Sequence, residues 1–306
     1  MHSTLKPLRI QRLGYRLGFL SLLTLLCSGP AWAADPFRTG RDARPIGPSL
    51  QSAFEDFFRL GSYQNSGTKL DQAQIENPGE PLVYTLQAAL AYQNRQKEQF
   101  LTTIPKIREV AQQLEAKDPA RSHLYRGIAQ GLAGYFIKDK LSALAQTVTY
   151  ASSMLLEIDK AHQLAPNDPE INLIVGYVNT VLRKYDDAIK NFEKAGPAYL
   201  AYRGQALVYR DTKNYPKAQE MVEKALAAAP QNPDLLYLKG QILALQRKPA
   251  EAVAFFDQAL KLGEQLPEGT KKQILKERNS QATRLPMSSP VPSPLLSPAP
   301  SPLPSP

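Results

Sequence analysis

Two stretches decide the fold: Ala165-Pro166-Asn167-Asp168-Pro169-Glu170-Ile171-Asn172-Leu173-Ile174-Val175-Gly176 and Ala229-Pro230-Gln231-Asn232-Pro233-Asp234-Leu235-Leu236-Tyr237-Leu238-Lys239-Gly240. They align without a gap at an offset of 64 residues. Each has Ala-Pro, a polar pair, a second proline, and an apolar run that ends on glycine. An ordinary helical bundle with an alanine-rich core has no reason to repeat Pro-x-x-Pro at a fixed distance, so the pattern marks stacked repeats.

A further copy lies between them. Lys184-Tyr185-Asp186-Asp187-Ala188-Ile189-Lys190-Asn191-Phe192-Glu193-Lys194-Ala195 superimposes on Asn214-Tyr215-Pro216-Lys217-Ala218 with Ala225, and on Lys248-Pro249-Ala250-Glu251-Ala252 with Phe256 and Ala259. Ala218 to Ala252 and Ala225 to Ala259 are both steps of 34 residues, whereas Ala188 to Ala218 is 30. The short step falls at Gly196-Pro197, so it removes residues from a connection and leaves the register within each helix intact. Ala188, Phe192 and Ala195 stand at i, i+4 and i+7, on one helical face. Two small residues there let a neighbouring helix approach closely while the ring fills the groove beside it.

These residues resemble the tetratricopeptide repeat, a helix-turn-helix unit of about 34 residues. Gly176, Ala206 and Gly240 match the small position of its first helix. Ala188, Ala218 and Ala252 match the early small position of its second, and Ala195, Ala225 and Ala259 the later one. Pro166 and Pro230 match its terminal proline. The resemblance implies an all-α fold, a right-handed superhelical solenoid of antiparallel helix pairs, with three repeats over 165–265.

Upstream, residues 49–164 keep only parts of the pattern and are expected to form degenerate helix pairs. Residues 266–285, strongly charged with Ile274 and Leu275 on one side, suit a capping helix with a polar outer face. Residues 34–48 are rich in Pro, Gly and Arg and have no helical period, so they are expected to be a linker or a lightly pinned arm. Residues 286–306 contain Pro, Ser and a few apolar residues with no charge, and are expected to be a disordered, extended tail.

The first 33 residues have the three parts of a secretory signal. Lys6, Arg9, Arg12 and Arg16 precede the apolar run Leu17–Cys27, and Ser28-Gly29-Pro30-Ala31-Trp32-Ala33 follows. Ala31 and Ala33 offer the small side chains that signal peptidase accepts, so cleavage is expected after Ala33. The apolar run is short of the roughly 20 residues of a membrane span. Leu26 stands before Cys27 where a lipoprotein signal requires a small residue. The signal takes four charges of the formal +9, leaving +5. It also takes the only cysteine, so the mature chain would have no disulfide and no thiol chemistry. The expected location is the periplasm, or the thylakoid lumen if the source is photosynthetic.

No catalytic constellation is visible. His123 and His162 have no His or Cys at ligand spacing, and no metal or other cofactor is expected. Glu157 with Asp159, Asp186 with Asp187, and Glu251 read as solvated or first-turn acids of helices. No basic run is interleaved with aromatics, which argues against nucleic acid, while the residual positive charge favours association with anionic envelope polymers. No further stretch is long and apolar enough for a transmembrane span.

The chain is therefore expected to be a non-enzymatic scaffold that docks a protein or peptide, or else an envelope factor tethered by its proline-rich tail to cell wall or outer membrane. The family resemblance places the partner groove on the first helix of each pair. Carried onto this sequence, that puts Leu173, Tyr177 and Thr180, then Arg203, Leu207 and Arg210, then Tyr237, Gln241 and Ala244 on the groove. Arg203 and Arg210 share a face two turns apart and could grip a carboxylate; the same residues could equally be the solvent side of a solenoid.

Overall fold

The computed structural model describes residues 35–38, 43–135 and 141–285. The signal segment with Ala31 and Ala33, and the tail 286–306, lie outside the described residues. Thirteen α-helices follow one another, with no strand among the described residues: α1 (Pro48–Phe54), α2 (Ser66–Glu76), α3 (Pro81–Gln93), α4 (Lys97–Gln113), α5 (Pro119–Tyr135), α6 (Leu141–Leu164), α7 (Pro169–Val181), α8 (Tyr185–Lys194), α9 (Ala198–Asp211), α10 (Tyr215–Ala228), α11 (Pro233–Leu245), α12 (Pro249–Lys261) and α13 (Glu268–Ala282). Consecutive helices pack in pairs from α1–α2 to α11–α12, and α13 closes the end.

The repeated prolines are helix starts. Pro81, Pro169 and Pro233 open α3, α7 and α11, where a missing N–H costs nothing and the fixed φ suits the first turn. The residue before each is a cap. Asp168 accepts from the amides of Glu170 and Ile171 at 3.0 and 3.1 Å, Asn232 from Leu235 at 3.1 Å, and Glu80 from Leu82 at 3.0 Å.

The turns inside the pairs are also alike. Arg95, Arg183, Lys213 and Arg247 all adopt φ near +60°. After each, an amide reaches back into the ending helix: Gln96 to Ala91, Lys184 to Asn179, Asn214 to Tyr209 and Lys248 to Leu243, at 2.8–3.0 Å. These are Schellman-type closures made without glycine. The turn at Arg95 shows that α3–α4 is built like the three later pairs although its sequence has drifted.

Close packing of small residues against rings sets the helix spacing. Ala188, Ala218 and Ala252 are fully buried, as are Phe192 and Phe256. A Cβ placed on Gly176 would lie 2.6 Å from the Phe192 ring, and one on Gly204 only 2.3 Å from it. Phe192 is thus held between glycines of two successive repeats. Gly240 meets Phe256 in the same way, at 2.5 Å. The sequence alignment picked Ala206 in α9; Ala206 is buried against Ala218 and Val222, and Gly204 one half-turn earlier faces the ring.

The Gly240→Val variant should therefore lose stability, by about 1–3 kcal/mol for overpacking a filled site. Gly79→Ala, where nothing lies within 4 Å, should change it by less than about 1 kcal/mol. Urea unfolding of the two variants beside wild type measures both; equal midpoints would contradict this packing.

Candidate partner-binding groove

The first helices of the pairs, α3, α5, α7, α9 and α11, share one wall of the solenoid. Leu86, Leu124, Leu173, Leu200 and Asp234, one from each, border a single cavity of about 380 Å³. Its other wall is the chain's own N-terminal segment. After α1 the helix continues as a widened turn through Glu55–Leu60 and stops at Gly61, whose φ of 64° is a left-handed conformation. Gly61 is needed for space as well, since a Cβ there would lie 2.7 Å from Cδ of Pro233.

That segment is gripped by both main-chain and side-chain contacts. The Asn232 amide donates to the carbonyls of Phe58 and Arg59 at 2.9 and 3.3 Å. The Tyr63 hydroxyl donates to Asp234 at 2.5 Å. Burial, and then the neighbouring Asp234 carboxylate, hold this phenol well above its ordinary pKa, so it stays a donor. Phe57 packs edge-on against Tyr63 and also touches Phe58, and Phe54 meets Phe37 and Phe58. Asn232 has two tasks, capping α11 with its oxygen and holding the segment with its nitrogen.

A buried charge cluster anchors the segment's beginning. Arg38, expected to lie in a linker, is buried; it pairs with Asp168, with Asp35 at 2.9 Å and with Glu170 at 3.1 Å. Arg121 of α5 meets the same Glu170 at 2.9 Å and Glu80, the cap of α3, at 2.8 Å. Arg44 reaches Glu170 at 3.3 Å and Asp118 at 2.8 Å, and the Tyr125 hydroxyl donates to Glu170 at 2.5 Å. One carboxylate at the start of α7 thus joins the N-terminal segment, α3, α5 and α7. Burial alone would raise the Glu170 pKa, but Arg121 and Arg38 outweigh it and bring it down to about 2.

The residues carried over from the family pattern divide into two groups. Leu173, Tyr177 and Arg203 border the cavity, with Arg203 donating to the Tyr177 hydroxyl at 3.0 Å. Arg210, Gln241 and Tyr237 form a polar strip running to the cap: Arg210 donates to Gln241 at 3.2 Å, and Gln241 and Tyr237 donate to Glu277 of α13 at 3.1 and 2.6 Å. Leu207 is half-buried beside this strip, Thr180 bonds back to the Gly176 carbonyl at 2.8 Å, and Ala244 is half-buried. Arg203 and Arg210 share a helix but have no common hydrogen-bond partner. Asn232, Asp234 and Glu170 stand out in the sequence only as members of the repeated stretches, and nothing in their spacing signals their long-range contacts.

A model of the tetratricopeptide repeat matches residues 203–267. This chain carries tetratricopeptide repeats. Human tetratricopeptide repeat protein 7A is 27% identical over 116 residues, which is 37% of this tetratricopeptide-repeat chain. The match spans only 14% of that relative's length. Among solved structures, yeast Tom70 is 16% identical with a TM-score of 0.44, covering 77% of this chain and 46% of that one. Pseudomonas aeruginosa pilF is 16% identical with a TM-score of 0.41, covering 67% and 90%. No group of side chains able to hold a metal ion occurs among the described residues, nor does a helix long and apolar enough to cross a membrane.

Glu170→Gln would leave Arg38 and Arg121 short of charge, and should cost about 3–5 kcal/mol. The pH dependence has a definite sign. The folded pKa is depressed, so the contribution of Glu170 is complete above the unfolded value of about 4.3 and is lost as pH falls towards about 2. Urea midpoints across this range should fall for wild type, and the variant should lack that component of the fall. Parallel pH profiles would contradict the anchor.

Proposed function

We propose that this protein is a non-enzymatic scaffold outside the cytoplasm, which docks a protein or peptide partner on its concave face. One observation carries the reading: the wall formed by α7, α9 and α11 already holds a stretch of polypeptide. Asn232 recognises main-chain carbonyls, which any peptide offers, and Asp234 accepts the Tyr63 hydroxyl of the segment. The segment occupies the end of the groove near Tyr177 and Arg203. The strip of Leu207, Arg210, Tyr237 and Gln241 continues beyond it, and its half-buried polar side chains suit hydrogen bonding to a partner. The order of basic, apolar and Ala-x-Ala residues in 1–33 supports export, and the mature chain's excess of basic residues favours an acidic partner or an anionic envelope polymer.

Two measurements test this. A photo-crosslinking residue at Gln241 in the full chain should capture a defined partner, whereas one at Glu193, exposed on the second-helix side, should not; Arg210→Glu should weaken the Gln241 product severalfold. Equal capture from both positions would overturn the groove. Residues 1–40 fused to alkaline phosphatase should give activity that depends on export, and an inactive fusion retained in the cytoplasm would overturn the location.

A further inference from the structure

We propose that the cavity between the N-terminal segment and the concave helices is a binding site for a medium-chain alkanoate, held by its carboxylate on Arg203. The proposal goes beyond partner docking and does not depend on it.

The cavity's charged groups are unequal. Glu170 is saturated by Arg38, Arg44, Arg121 and Tyr125. Asp234 holds the Tyr63 hydroxyl and lies near Arg203. The half-buried Arg203 has a single hydrogen bond, to a neutral phenol, and no carboxylate oxygen lies within 4.0 Å of its guanidinium among the described residues. Arg38 and Arg121, the other enclosed guanidiniums here, each hold two or more carboxylates. A guanidinium offers five donors in a planar fork suited to a carboxylate, and a sheltered charge gains most from a charged partner. Arg203 therefore has Asp234 near it but no carboxylate in direct contact, and its fork is open to a ligand carboxylate.

The remaining lining fixes the ligand's other end. Phe54, Phe57, Leu86, Leu124, Ile128 and Ile174 make the wall apolar. Such a wall suits an alkyl chain, which needs no hydrogen-bond partner. A cavity of about 380 Å³ lies at the small end of ligand pockets, which suits a medium-length chain such as that of decanoate. Arg203 is the cation that borders the cavity with no carboxylate in contact, so the head lies there and the tail runs towards α3 and α5.

Titration calorimetry of the full chain with the series hexanoate, decanoate and hexadecanoate tests this directly. Decanoate should bind at one site per chain and best of the three. Decanol, which lacks the charge, should bind at least about tenfold more weakly. Arg203→Gln should cost decanoate at least about tenfold, and Lys190→Gln, exposed on the second-helix side, should leave it unchanged. Ile128→Trp fills the cavity and should abolish binding while circular dichroism stays that of wild type. If Arg203→Gln fails to fold, decanol and Ile128→Trp decide. Affinity that rises through hexadecanoate, equals that of decanol, or survives Ile128→Trp would overturn the site, and N-acetyl-Phe-Leu binding more tightly than decanoate would assign it to peptide carboxylates instead.

Discussion

Phe192 leaves no room for a side chain on either side of its ring. Gly176 of one repeat and Gly204 of the next both lie where a single added carbon would collide with it. That contact brings α7, α8 and α9 to one spacing, and Phe256 with Gly240 continues it into the last pair. Interiors packed to crystal-like density do not deform smoothly, so this local fit fixes the spacing of the first helices. Their spacing in turn makes a wall on which Asn232, Asp234, Tyr177 and Arg203 converge.

The wall is not left bare. The N-terminal segment is tied down at one end by Arg38 on Glu170 and Asp168, and at the other by Tyr63 on Asp234. Breaking a buried pair from one side is costly because the other charge stays enclosed, so the anchor at Arg38 is the stronger of the two. The contacts near Tyr63 are fewer hydrogen bonds plus aromatic packing. A partner able to supply its own aromatics and carbonyls would compete at that end first. The groove thus holds a segment of its own chain.

How much of this the sequence showed depends on distance along the chain. The repeat over 165–265 was plain because Ala188, Phe192, Ala218 and Ala252 recur at helical spacing, and each is buried as that spacing requires. Pro169 and Pro233 were visible as part of the repeated Pro-x-x-Pro, while the caps Asp168 and Asn232 came from the structure. The resident segment was not visible. Arg38 meets Glu170 across 132 positions and Tyr63 meets Asp234 across 171, and no local period records such a pairing. Phe54, Phe57 and Phe58 looked like the face of one more degenerate pair. The α3–α4 pair kept its turn at Arg95 because backbone geometry tolerates sequence drift that side-chain patterns do not.

Hydrogen exchange on the full chain tests most directly the claim that the concave wall holds the N-terminal segment. Phe57→Ala with Tyr63→Phe removes contacts from the segment's side and leaves every wall residue in place. Exchange over residues 55–65 should then speed up by at least about tenfold, with α9 and α11 unchanged. Exchange over 55–65 as slow as in wild type would contradict the account.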